Sequence, residues 1–254
     1  MIEKGRKEAR VGLESEEEII LLINKNAKFR ENLKKGLFTL GFKIKGEISA
    51  YKDNVKTDIF IKTYDTVFGV SIKSSTGTSF HQLDRRRLED WKSLLNMPND
   101  IFDTLKKAIL RIAHNAKACF ILPEDRHRIS EFLLLNIKRL ITEIFVKNEQ
   151  NLKLLMINDK VKGKLYLFKM EDVIRFLMKN ASNISFSKKG IIKLGDFITI
   201  QRKSGDGKHI KIPKTEWSHP GNELQFKFSP IKFAEYVTDT KIIPFYCLEM
   251  KWKK

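Results

Sequence analysis

Lys56 to Trp91, KTDIFIKTYDTVFGVSIKSSTGTSFHQLDRRRLEDW, sets an aspartate on one short apolar segment and a lysine near the end of the next. If the two pair as a hairpin through Tyr64, Asp65 and Thr66, side-chain alternation puts Asp58, Phe60 and Lys62 on one face of the first strand. On the second strand Ser71 and Lys73 share a face, while Val70 and Ile72 point the other way. An Asp beside a Lys at such a junction is the minimal set for magnesium-dependent phosphodiester hydrolysis. The carboxylate holds a hard cation, the cation polarises the phosphoryl group and acidifies a water, and the ammonium steadies the developing charge. The same two residue types also form ordinary solvated ion pairs, so the hairpin alone leaves both readings open.

A second constellation lies far downstream, in GDFITIQRKSGDGKHIKIPKTEWSHPGNELQFKFSP. Gln201, Arg202 and Lys203 close a strand, a turn follows from Ser204 to Gly207, and Gln225 and Lys227 lie on the returning strand. A rigid ribbon tip of this composition suits direct readout of duplex DNA. Arg or Lys donates to guanine O6 and N7, Gln pairs with adenine, and Asp206 accepts from cytosine N4. A plain polar hairpin tip would have the same SGDG turn.

The elements that must position these residues read as mixed α and β. Ser15 with Glu18 forms a capping box opening a helix through Ile19, Ile20 and Ile23, with breaks expected before Gly36 and Gly41. After the hairpin the spacing predicts one helix from near His81 to Leu95 and a second carrying Ile101, Leu105, Ala108, Ile109 and Ile112. A strand is expected from Cys119 to Leu122, then a long helix using Ile129 through Ile144. From Asn151 the texture is strand-rich, with LKLLMI, KLYLFKM, NISFS, IIKLGDFITIQRK, ELQFKFS and IIPFYCLEM around one helix, EDVIRFLMKN. A soft boundary near 148–151 thus divides residues 1–150, bearing the Asp58 hairpin, from a strand-rich part, 151–254.

Lysine and arginine total 49 against 31 acidic residues, a formal charge of +18 spread along the 254-residue chain. A distributed surplus of this size points to a folded surface that meets nucleic-acid phosphates. No apolar run approaches the roughly 18 residues needed to span a bilayer, and MIEKGRKEARVG lacks a signal-peptide core, so a cytoplasmic protein without a membrane partner is expected. Cys119 and Cys247 stand apart, and the five histidines show no zinc spacing, which argues against a disulfide or zinc site.

Six segments together resemble one known family: Lys56 to Ile59, Ser71 to Lys73, Phe80 to Asp84, Ile184 to Gly190, Thr199 to Asp206 and Leu224 to Lys227. Their pattern is similar to the small type II restriction endonucleases of the HinPI and MspI kind, across nearly the whole chain. The resemblance implies a mixed α/β fold, a PD-(D/E)xK restriction-endonuclease-like core with an attached strand-rich DNA-recognition region. It further implies cleavage of double-stranded DNA at short palindromic sites with one or two Mg2+ ions.

Carried over position by position, the resemblance makes Asp58 the principal metal ligand and Lys73 the catalytic lysine, with the Ile72 carbonyl as a further ligand. Ser71 stands where most of the superfamily has Asp or Glu, and a hydroxyl is a weaker cation ligand than a carboxylate. Glu16, in the Gly12 to Glu16 pattern of the opening helix, is the further acid expected at the site, with Glu17 and Glu18 as alternatives. Lys4, Arg6, Lys7 and Arg10 would lie against DNA, and Phe80 and Gln82 would approach the base stack, Phe80 as a wedge or else as a buried residue opening a helix. The expected partners are double-stranded DNA and, in the same restriction system, a cognate methyltransferase that forms no stable complex; the protein is expected as a monomer or weak homodimer. Two alternatives remain: a non-catalytic basic nucleic-acid-binding protein, which Ser71 keeps open because a degenerated metal site would look similar, and a structure-selective repair or junction nuclease of the same superfamily.

Overall fold

The computed structural model describes residues 2–53, 57–77, 80–147, 149, 151–203 and 210–250, with side chains from Gly12 onward. In chain order the elements are α1 (Ile2–Lys25), α2 (Ala27–Thr39), β1 (Ser49–Tyr51), β2 (Ile59–Lys62), β3 (Val67–Ser75), β4 (His81–Arg86), α3 (Leu88–Leu95) and α4 (Asn99–His114). They continue with α5 (Arg126–Leu135), α6 (Ile137–Val146), β5 (Leu152–Asp159), β6 (Lys164–Lys169), α7 (Met170–Ala181), β7 (Ile184–Phe186) and β8 (Ile192–Leu194). The last are β9 (Ile198–Arg202), β10 (Leu224–Phe228), α8 (Pro230–Thr240) and β11 (Tyr246–Glu249). No described helix is long and apolar enough to cross a membrane.

The chain divides into two compact units, and neither is continuous. One comprises residues 1–79, 148–176 and 229–254, the other 80–147 and 177–228. The boundary expected near 148–151 coincides with one passage between units, but the chain passes at 79/80, 176/177 and 228/229 as well, so strands populate both units rather than one half.

The first unit holds a six-stranded sheet in the order β1-β2-β3-β5-β6-β11. Only β3 and β5 run parallel. Ile59 and Ile61 of β2, with Phe68, Val70 and Ile72 of β3, turn one face into a core shared with Ile19 and Ile23 of α1 and Phe29, Leu33 and Leu37 of α2. Burying each such side chain stabilises the fold by about 1.5 to 3 kcal/mol. Strand alternation then forces Phe60, Lys62, Gly69, Ser71 and Lys73 to the opposite face. The hairpin expected through Tyr64 to Thr66 is present, with Ile59 opposite Val70 and Lys62 opposite Val67. Its turn is tied by Thr63, whose Oγ1 donates to the Thr66 carbonyl at 3.1 Å and accepts from the Thr66 amide at 3.0 Å.

The second unit holds an antiparallel sheet, β4-β10-β9-β8-β7. Trp91 of α3 packs on Phe226 with ring centroids 4.6 Å apart, and Phe145 of α6 meets Phe228 edge-on at 5.3 Å.

Several local expectations are corrected. Helix α1 begins at Ile2, so Ser15 is no cap but a fully buried mid-helix residue; Glu, Lys, Arg and Ala in the lead-in are strong helix formers. The first helix break comes at Asn26, whose side chain accepts the Phe29 amide at 3.0 Å and caps α2. His81 to Arg86 is a strand, and the helix starts only at Leu88. Its pairing with β10 slips by one residue between Phe226 and Lys227, a bulge that breaks the period-2 signal. The long helix through Ile144 is two, divided at Asn136. Cys119 to Leu122 is no strand, although the Phe120 and Ile121 amides donate to the Lys189 and Gly190 carbonyls. Helix α8, absent from the sequence reading, opens on Pro230 in its first turn.

Candidate active site

Regular pairing of β2 starts at Ile59, and Asp58 stands just before it. The Asp58 carboxylate continues the ladder: its Oδ2 accepts the Ile72 amide at 2.6 Å and the Ser71 hydroxyl at 3.2 Å. Lys73 reaches back along its own strand, with Nζ donating to Ser71 Oγ at 2.9 Å and to the Ile72 carbonyl at 3.3 Å. The same ammonium lies 3.5 Å from Asp58 Oδ2. Asp58 and Lys73 side chains are 24% and 20% exposed, which leaves the pair partly desolvated yet open to a ligand.

From α1, Glu16 joins this group. Burial pushes its carboxyl above the ordinary carboxylate range; the hydrogen bond from Lys52 opposes the shift, and the Asp58 charge adds to it. Lys73 also acts on Glu16, so the two acids and two ammonium groups are electrostatically one cluster. Of the alternatives, Glu17 is exposed, and Glu18, whose carboxyl burial also raises, feels the Lys160 charge. Lys52, immediately after β1, was not singled out by the sequence. Nor were Thr57, buried beside Asp58, and Glu149, which accepts a hydrogen bond from the Thr57 hydroxyl. Their roles depend on contacts between segments 92 residues apart for Thr57 and Glu149 and 36 apart for Glu16 and Lys52, which no local pattern announces.

The donors gathered here, the Asp58 and Glu16 carboxylates, the Ser71 hydroxyl and the Ile72 carbonyl, are all oxygen, the donor set of a hard cation. Among the described residues no three His, Cys, Asp or Glu side chains gather as a ready cation cage. A cation held at this point would therefore complete its shell with Ser71, Ile72 and water. This all-oxygen donor set fits a hard cation such as magnesium.

The second candidate set lies in the other unit. On β9 adjacent side chains point to opposite faces, so Arg202 cannot act beside Gln201 and Lys203. Arg202 is 6% exposed and its Nε donates to Asn222 Oδ1 at 2.8 Å, while Asn222 Nδ2 donates to the Lys214 and Glu216 carbonyls. Burial alone does not set Arg202 apart, since Gln225 is buried as well at 8%; it is the bond to Asn222 that makes Arg202 an anchor of the segment leading to β10 rather than the base-reading residue expected. Lys203 pairs with Glu223 at 3.1 Å and donates to the Pro220 carbonyl at 3.2 Å.

Across the sheet, Gln201 stands opposite Gln225 and Gln225 opposite Arg85; Thr199 stands opposite Lys227 and Lys227 opposite Gln82. The bulge in the β4 pairing brings Gln82 and Arg85 to the same face, and Gln225 Nε2 donates to Gln82 Oε1 at 2.7 Å. Gln201, Gln225, Lys227 and Gln82 are thus brought together, with Arg85 as a member the sequence reading missed. Phe80 is 42% exposed and precedes a strand, which removes the alternative of a buried residue opening a helix. Lys4, Arg6, Lys7 and Arg10 lie on the first turns of α1, their side chains outside the described set, and Ser204 and Asp206 lie outside the described residues.

One unit of this mixed α/β protein thus carries an Asp and a Lys clasped on paired strands, and the other a sheet with a polar and basic face. No family model matches the sequence, and no curated protein matches it. Among solved structures, the restriction endonuclease MspI in complex with its cognate DNA is similar in fold, with a TM-score of 0.58 and 15% identity over 89% of this chain and 92% of that one. The chain has a restriction-endonuclease-like α/β fold.

Proposed function

We propose that the protein is a type II restriction endonuclease that cleaves double-stranded DNA at a short palindromic site by magnesium-dependent hydrolysis. The observation that carries this reading is the Asp58, Ser71 and Lys73 cluster, held within 2.9 to 3.5 Å on adjoining strands of a fold shared with a DNA-bound restriction endonuclease. Magnesium bound there would polarise the scissile phosphate and make a bound water more acidic. Asp58 and Glu16 bring the negative charge that attracts it, and Ser71 and the Ile72 carbonyl add neutral oxygens. Lys73, fixed by Ser71 and Ile72, holds its ammonium where charge develops on the attacking water and the phosphate.

Reading of the bases is assigned to the polar face of the second sheet, through Gln201, Gln225, Lys227, Gln82 and Arg85, with Lys203, Ser204 and Asp206 following β9 in sequence. Paired amide and cationic donors across adjacent strands suit the major-groove edges of adenine and guanine. Phe80, exposed at the start of β4, is available to wedge a base step. Lys4, Arg6, Lys7 and Arg10 supply sequence-independent phosphate contacts, in keeping with the +18 charge. A four-base, CG-containing palindrome, a cytoplasmic monomer or weak homodimer, and a methyltransferase made by the same system complete the proposal.

The neutral Ser71 favours one competing reading, a DNA-binding protein whose cation site has degenerated. Incubation of a mapped plasmid with Mg2+ and sequencing of the ends decides between them: discrete cuts at one repeated site support the endonuclease, and intact plasmid at protein excess excludes it. Random or junction-dependent nicks would instead mark a structure-selective nuclease.

A further inference from the structure

We propose that Lys52 is an internal stand-in for the cation: it neutralises Glu16 in the cation-free protein and withdraws when a divalent ion binds, so that this lysine sets the affinity of the site. The inference rests on the reading of the Asp58 centre as a cation site and goes beyond it by assigning a role to a residue outside the hairpin.

Lys52 follows directly on β1. Strand β1 ends at Tyr51, opposite Phe60 of β2, so Lys52 emerges at the end of the sheet where Asp58 precedes β2. Its ammonium is bonded to Glu16 Oε2, and Glu16 is its only hydrogen-bond partner among the described residues. Exposure is unequal across that bond. The Glu16 side chain, carried by α1, is 14% exposed, whereas that of Lys52 is 41% exposed. The carboxylate is therefore held in place and desolvated, and the ammonium has water available on its other side.

Charge balance then says which group must move. Without a metal, the Glu16 and Asp58 carboxylates are matched by the Lys52 and Lys73 ammonium groups. A divalent cation brings two further positive charges, and repulsion is relieved most easily by the lysine with fewer ties. Lys73 is held by Ser71 Oγ, the Ile72 carbonyl and Asp58, and is 20% exposed. Lys52 has a single tie among the described residues and is 41% exposed to solvent, where an ammonium is strongly hydrated. With no carboxylate at Ser71, each charge on Glu16 counts for more in holding the cation.

The test is titration calorimetry of the full chain with Mn2+ in the absence of DNA. Lys52→Gln removes the competitor and is expected to tighten Mn2+ binding about fivefold, the scale of a partly exposed ion pair. Lys62→Gln makes the same charge change on the exposed face of β2, away from Glu16, and should shift affinity by less than about twofold. Lys52→Arg, which keeps the pair, should bind as the parent protein does. In a Glu16→Gln background Lys52→Gln should add nothing, because the two act through one interaction. Unchanged or weaker binding by Lys52→Gln overturns the proposal, as does equal tightening by Lys62→Gln or tightening that persists without Glu16. Saturable Mn2+ binding by the parent protein keeps those outcomes distinct from failure of the cation-site reading, in which the parent binds no Mn2+ and both fall.

Discussion

Replacing Arg202 by methionine separates a residue that reads DNA from one that holds the fold, two roles that its place in the QRK run leaves equally open. Methionine retains most of the buried stem and deletes the guanidinium. The interactions lost include the Nε bond to Asn222 Oδ1 at 2.8 Å, between side chains 6% and 0% exposed. A hydrogen bond from a charged donor contributes about 1.5 to 3 kcal/mol, and a buried acceptor left unsatisfied costs about 1 to 3 kcal/mol, two overlapping descriptions of one loss. The expected destabilisation is therefore about 1.5 to 3 kcal/mol. Because Asn222 also ties the Lys214 and Glu216 carbonyls, the loss should loosen the segment before β10. Urea unfolding should show a lower midpoint with little change in slope, and competition binding on the remaining folded protein should leave the cognate-to-random DNA ratio near that of the parent. Gln201→Ala, one residue away on the other face, should do the reverse: stability within about 0.5 kcal/mol and a reduced ratio. Full stability of Arg202→Met together with a collapsed ratio would refute the reasoning and return Arg202 to the reading surface.

The remaining expectations concern charge and specificity. Ser71→Ala should keep measurable cleavage at raised Mg2+, because the hydroxyl is a weak ligand, whereas Asp58→Asn should not be rescued; equal and irreversible loss in both would give Ser71 a larger role. Between the ordinary and the raised carboxyl value of Glu16 the folded state binds more protons than the unfolded one, so Glu16 lowers stability as pH rises through that window. Glu16→Gln should therefore be more stable than the parent at neutral pH, with the difference vanishing below the ordinary carboxyl range, as thermal unfolding at several pH values would show. Lys227→Ala should reduce site preference by about 1 to 3 kcal/mol, while Lys4→Ala or Arg10→Ala should weaken cognate and random DNA alike and lower the salt slope by roughly one unit, both measurable by competition at two salt concentrations.

What the sequence made legible follows from how local each signal is. Asp58, Ser71 and Lys73 could be placed because Ile59, Ile61, Val70 and Ile72 alternate cleanly, and two-residue periodicity fixes the opposite face. Strand β4 was hidden because the bulge brings Gln82 and Arg85 to one face three residues apart, a spacing that imitates a helix. Arg202 was grouped with Gln201 and Lys203 on composition, although alternation along β9 separates it from them. The start of α1 was misread because a Ser-x-x-Glu pattern within a helix looks like one that begins a helix. Lys52, Thr57, Glu149 and the discontinuous units share one cause of illegibility: each depends on which distant segments become neighbours, and that is decided by packing of the whole unit.

The central claim, that the clasped Asp58 and Lys73 perform hydrolysis, is tested most directly by measuring cleavage and DNA binding together for Asp58→Ala and Lys73→Ala. Phosphate contacts dominate affinity, so both variants should bind duplex DNA within about an order of magnitude of the parent yet leave plasmid uncut with Mg2+. Full nicking activity in either variant would contradict the account.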